Sequence, residues 1–151
     1  MSIQNLIIGN QQIKSEPQRR KIILGGYLIL IYIGMGLFYF TVNLFNPDGE
    51  PTSLFIGFIV SIVCLVLLRS GYTEFAIVIH FIRANFIAFY FSIIDDNVLL
   101  TGTYIYFVPA SLGALAVYGY TERWKGIGFA SISFALFLYA LLQPDKFSLA
   151  D

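Results

Sequence analysis

Residues 19 to 45 read RRKIILGGYLILIYIGMGLFYFTVNLF: three consecutive cations, then a run from Ile22 to Phe45 that carries no charge. An α-helix rises about 1.5 Å per residue, so roughly 20 apolar residues cover a hydrocarbon core about 30 Å thick. This run is long enough. A cleavable signal peptide would have a shorter apolar core followed by small residues at a cut site, so the stretch reads as an uncleaved membrane anchor.

Four further runs follow it: Pro51 to Leu68, closed by Arg69; Phe75 to Ile94, apolar except for His80, Arg83 and Asn85; Val98 to Tyr120; and Trp124 to Leu142. The spacing predicts an all-α fold, a polytopic transmembrane helical bundle with five spans at 22–45, 51–68, 75–94, 98–120 and 124–142. A cytoplasmic segment, 1–21, precedes it and an outer-side tail, 143–151, follows. β-Barrel strands would alternate apolar and polar over about ten residues, whereas these runs are apolar on every side. The second run is the shortest of the first four and opens with Pro51, Thr52 and Ser53, which leaves a re-entrant or strongly tilted segment as the alternative. Removing that span would put Arg69 outside and spoil the charge asymmetry described below.

Composition agrees. Of 151 residues, 58% are hydrophobic and 12% charged, with a mean hydropathy of +0.77. Nine basic and nine acidic residues, mostly clustered, cannot form the charged shell of a soluble domain. The net charge of zero argues against nucleic acid as a partner, because phosphate binding needs a net basic surface. The single cysteine, Cys64, excludes an internal disulfide.

Polarity and turn chemistry gather in short connections: Asn46-Pro47-Asp48-Gly49-Glu50, Arg69 to Glu74, Asp95-Asp96-Asn97 and Thr121-Glu122-Arg123. Lys14, Arg19, Arg20, Lys21, Arg69, Arg123 and Lys125 then share the side of the N-terminus, leaving Lys146 opposite. By the positive-inside rule the N-terminus is cytoplasmic, and an odd number of crossings leaves the C-terminus outside.

Small residues at four-residue spacing, Ala110 with Ala114, Gly126 with Ala130 and Ser131 with Ala135, suggest close packing of the fourth and fifth helices. The competing explanation is that Gly and Ala are simply common in membrane helices. Such packing also serves a homodimer, so the expected partners are membrane lipid and a second copy of the chain. Pro109 removes a backbone bond to the Ile105 carbonyl and predicts a kink, either as architecture or as a hinge.

The third run holds the ionisable groups within the spans. Arg83 is about 12 Å past Phe75 by helix rise, too deep for easy escape to the surface. Burying it costs about 2.5–3.5 kcal/mol on insertion scales. Glu74 projects to the other side of the helix and Asp95 and Asp96 lie roughly 18 Å along the axis, so its partners must come from elsewhere. Tyrosine hydroxyls, carbonyls freed near Pro109 and another chain are the choices. His80 is three residues earlier on the same face, and Asn85 is about 200° away from Arg83. As a functional site, His80 would exchange a proton near neutral pH while Arg83 binds an anion or carboxylate ligand. As a structural feature, both would only tie helices together.

Soluble enzyme chemistries find no footing. One histidine and one cysteine cannot make a zinc site, Gly126-Ile127-Gly128 lacks the third glycine and preceding strand of a dinucleotide fingerprint, and no phosphate-binding loop is present. Haem would need His80 from two copies. The scattered aromatics fit packing and interfacial belts better than a chromophore pocket. No catalytic residue, metal or cofactor is expected. Thr101, Thr103, Tyr104 and Tyr106, with Asp95 and Asp96, could line a small outward pocket or simply sit at the interface.

Arg19-Arg20-Lys21 at the start, the short loops, the aspartates before Ile105-Tyr106-Phe107-Val108-Pro109-Ala110, and Gln143-Pro144 after the fifth run resemble the six-helix membrane region that begins many bacterial sensor histidine kinases. Similar regions precede some class III nucleotide cyclases. The resemblance implies a sensor in the bacterial cytoplasmic membrane that relays a membrane or extracellular cue by helix movement. It also implies a sixth span and an output domain beyond Asp151; otherwise the chain is a five-span protein. No phosphoacceptor or ATP-binding segment is present, so no kinase activity carries over. The competing function is a small transporter or channel subunit, with His80 and Arg83 on a substrate path.

Single cysteines placed at Asp48 and Asp96 in a Cys64-free background should react with an impermeant reagent on intact cells. Cysteines at Ser70 and Arg123 should react only after permeabilisation. The reverse pattern would overturn the topology.

Overall fold

In a computed structural model of the chain, residues 3–9, 11, 13, 15–45, 51–94 and 106–142 are described. They form six helices: α1 (Ile3–Ile8), α2 (Glu16–Leu44), α3 (Pro51–Arg69), α4 (Thr73–Ile94), α5 (Phe107–Tyr118) and α6 (Arg123–Leu141). The fold is all-α. Among the described residues three segments, Glu16–Val42, Thr73–Ser92 and Arg123–Leu141, are long and apolar enough to cross a membrane, and Phe55–Arg69 and Phe107–Tyr118 are shorter apolar stretches. Three of the five expected positions thus carry a candidate span among the described residues. Residues 98–105, which the expected fourth span includes, lie outside the described residues.

The chain divides into two compact units, Met1–His80 and Phe81–Asp151, and the division falls inside α4. In the first unit, α2 begins ahead of the apolar run because its start is well capped. Ser15 accepts a hydrogen bond from the Gln18 N–H at 3.4 Å, and Glu16 sits in the first turn, 3.6 Å from Arg19. Pro17 is tolerated there because its missing N–H would have been an orphan. α2 packs on α3, with Ile22, Ile29, Cys64 and Leu68 fully buried beside Ala76. The stretch 1–21, expected only as a flanking segment, contributes α1, and Ile7 at 0% exposure belongs to the same core. A Cβ on Gly26 would run into the Ile7 side chain, so this glycine is the seat of α1. The Gln11 amide donates to the Leu68 carbonyl at 3.1 Å.

α3 ends in a Schellman arrangement. The Tyr72 N–H donates to the Leu67 carbonyl at 3.0 Å and the Gly71 N–H to the Leu68 carbonyl at 3.2 Å, with Gly71 at φ +90°, a conformation that suits glycine. The connection to α4 is therefore tight.

In the second unit α5 and α6 cross closely. An added Cβ at Gly126 would lie 3.2 Å from the Ala114 carbonyl oxygen and 3.4 Å from the Leu115 Cα. Ala110 and Ala114 are buried, Ala130 is half-buried, and Ser131 and Ala135 face outward. A further cluster joins Ala88, Phe107 and Ala140.

Polar side chains on these apolar helices bond to their own backbone. Ser61, Ser92, Ser111 and Ser133 donate to the carbonyls of Gly57, Ala88, Phe107 and Phe129 at 2.7–3.0 Å. Thr41 donates to Leu37 at 2.8 Å. Each is an i to i−4 bond that satisfies a hydroxyl without water.

Gly126→Ile should lower the thermal stability of the detergent-solubilised protein by about 1–3 kcal/mol, the usual cost of overpacking. Gly128→Ile is the control, since nothing lies within 4 Å of a Cβ added there. Equal effects of the two would contradict the close crossing.

Candidate polar site on α4

α4 reads TEFAIVIHFIRANFIAFYFSII, without a glycine or proline to interrupt it. Phe75, Ile82 and Phe86 are exposed, whereas Ala76, Ile77, His80, Phe81, Ala84 and Ala88 are buried. Half of its most apolar window is buried, against 22% for α2 and 17% for α6. The alanines at 76, 84 and 88 permit close approach, which suits a helix that neighbours cover rather than lipid. Arg83 and Asn85 point to nearly opposite sides by helix geometry, yet both are buried, so α4 is covered on more than one side.

His80 belongs to the first unit. It is 2% exposed, and its ring meets Tyr32 of α2 edge to face, with centroids 4.9 Å apart at 83°. That geometry sets the polarised edge of one ring against the electron-rich face of the other. Arg83 and Asn85 belong to the second unit. Asn85 donates its amide to the Phe81 carbonyl at 2.9 Å, one turn back. Its own carbonyl oxygen, buried, accepts no hydrogen bond from the described residues. Arg83 is 9% exposed.

Around the second unit's part of α4 lies an aromatic group. Phe81 is 5.6 Å from Phe129 and 6.3 Å from Tyr118, and Tyr118 stacks on Phe129 at 5.9 Å with planes 1° apart. The Lys125 ammonium faces the Tyr118 ring at 5.9 Å.

At the start of α4, Glu74 pairs with Lys21 of α2. Lys21 is 6% exposed although sequence places it among the solvated flanking cations. The partners are 53 residues apart, so no local pattern announces the pair. Among the described residues the carboxylates Glu16, Glu74 and Glu122 all stand at helix beginnings, where the helix dipole favours negative charge.

Pro109 lies in the first turn of the described helix α5. The residues that a mid-helix kink would require before it lie outside the described residues, as do Asp95, Asp96, Thr101, Thr103 and Tyr104. Among the described residues no group of three His, Cys, Asp or Glu could hold a metal ion. Compared with protein-family models, curated proteins and solved structures, the chain matches none of them.

Glu74→Gln should destabilise the protein, because it removes the carboxylate that pairs with the buried Lys21 ammonium. Adding Lys21→Met should recover part of the loss, giving a coupling of about 1–2 kcal/mol, between exposed and fully buried pairs. Additive effects in thermal unfolding would show the pair to be energetically idle.

Proposed function

We propose that the chain is the membrane-embedded input module of a signal-transduction protein, of the kind that precedes sensor histidine kinases, in the bacterial cytoplasmic membrane. It has five spans with the N-terminus cytoplasmic, no catalytic activity of its own, and works as a homodimer through helix packing. The polar residues of α4 take up the cue, and movement of that helix relays it. The supporting observation is the burial of His80, Arg83 and Asn85 on the most buried of the three long apolar helices. Ionisable groups in such segments are costly and are commonly tied to function. Pro109 is assigned as a hinge on the fourth span.

A transporter or channel subunit is the competing reading, and the described carboxylates bear on it. All three stand at helix starts, so proton or cation coupling would have no acidic relay among the described parts of the spans. The coding sequence beyond Asp151 discriminates the two. A sixth apolar run leading into kinase or cyclase motifs supports the input module.

Arg83→Leu removes a buried charge. It should preserve folding yet abolish the response of the full-length signalling protein, with Arg83→Lys restoring only part because the planar fork is lost. Thermal stability and output measured on the same variants decide it. An intact response at unchanged stability would reduce Arg83 to packing.

A further inference from the structure

The turn between α5 and α6 presents a cation in an unusual setting. Gly119, at φ +55°, closes α5 with its N–H on the Leu115 carbonyl at 3.0 Å, and the chain re-enters a helix at Arg123. Glu122 and Lys125 pair at 3.0 Å, one turn apart, and so neutralise each other. Arg123 is exposed, and no carboxylate pairs with it among the described residues. Its guanidinium instead lies over two rings, 5.1 Å from the Tyr120 centroid and 5.6 Å from that of Trp124. Those rings are 83% and 74% exposed.

We propose that this turn binds the phosphate of an anionic phospholipid, with Arg123 as the charge and Tyr120 and Trp124 as its walls. A guanidinium lying over aromatic faces spends its own faces on them and keeps its N–H edge open for a bidentate phosphate contact. The rings need an environment that is apolar at the body and wet at the tip, which is the level of the headgroups. The turn stands at the end of α6, a helix long enough to cross the bilayer, so a headgroup is within reach. A free anion would satisfy only the charge and leave both rings in water. The lipid satisfies all three groups. This inference rests on the membrane location of α6 and is independent of the signalling role.

Trp124 is the only tryptophan in the chain, so tryptophan emission, excited at the red edge where tyrosine does not absorb, reports from this turn alone. The full chain is reconstituted in phosphatidylcholine vesicles containing phosphatidylglycerol, with bromine on the acyl chains of one lipid or the other. Brominated phosphatidylglycerol should quench as though enriched about fivefold over its bulk fraction. Arg123→Gln should return quenching to the bulk fraction, and Arg123→Lys should retain part of the enrichment. Arg123 is exposed, so its replacement does not threaten folding. Quenching that follows bulk composition in the unaltered protein, enrichment that survives Arg123→Gln, or a tryptophan unquenched by either lipid would each overturn the proposal. Failure to float with vesicles at all would instead contradict the membrane location.

Discussion

Hydrocarbon offers no hydrogen bonds, and every polar group placed in it must find a partner within the protein. That constraint accounts for the all-α architecture, since a helix satisfies its own backbone within one segment. It accounts equally for the side chains. Ser61, Ser92, Ser111, Ser133 and Thr41 turn back to carbonyls one turn earlier, and the Asn85 amide does the same. The described carboxylates stay at helix starts, where Glu16 meets Arg19, Glu74 meets Lys21 and Glu122 meets Lys125.

The same solvent supplies little drive for helices to associate, so association depends on close contact and polar pairs. Gly26 receives Ile7, and Gly126 rests on the Ala114 carbonyl. In the first unit the Lys21–Glu74 pair adds a charge contact between α2 and α4. α4 carries His80, Arg83 and Asn85 within its apolar run, and it is also the most buried of the three long apolar helices. The two facts belong together, because burial among protein groups is the condition under which a histidine, an arginine and an asparagine can occupy such a segment.

Much of this was legible in the chain itself. Uncharged runs announce helices wherever they are long, and α2, α4 and α6 fall where the runs at 22–45, 75–94 and 124–142 place them to within a few residues, α2 starting earlier at Glu16. What periodicity could not show are contacts between segments distant in sequence. Ile7 is one apolar residue in a patch too short to read, and its importance rests on a glycine nineteen positions on in another helix. Lys21 resembles any flanking cation until Glu74 is brought to it. Similarly, the small residues of α5 and α6 have the spacing of a packing stripe, but only the structure distinguishes Gly126, against backbone, from Ser131 and Ala135, which face outward.

α4 holds polar residues deep in an apolar segment and contributes to both compact units. Amide hydrogen exchange of the protein in lipid nanodiscs, read by mass spectrometry, tests the continuity of this helix most directly. Slow exchange is expected from Ala76 through Ser92, unbroken from Ile79 through Ala84, and comparable to the interiors of α2 and α6. Fast exchange at His80 and Phe81, with protection on either side, would contradict a continuous α4 and with it the role given to the polar residues it carries.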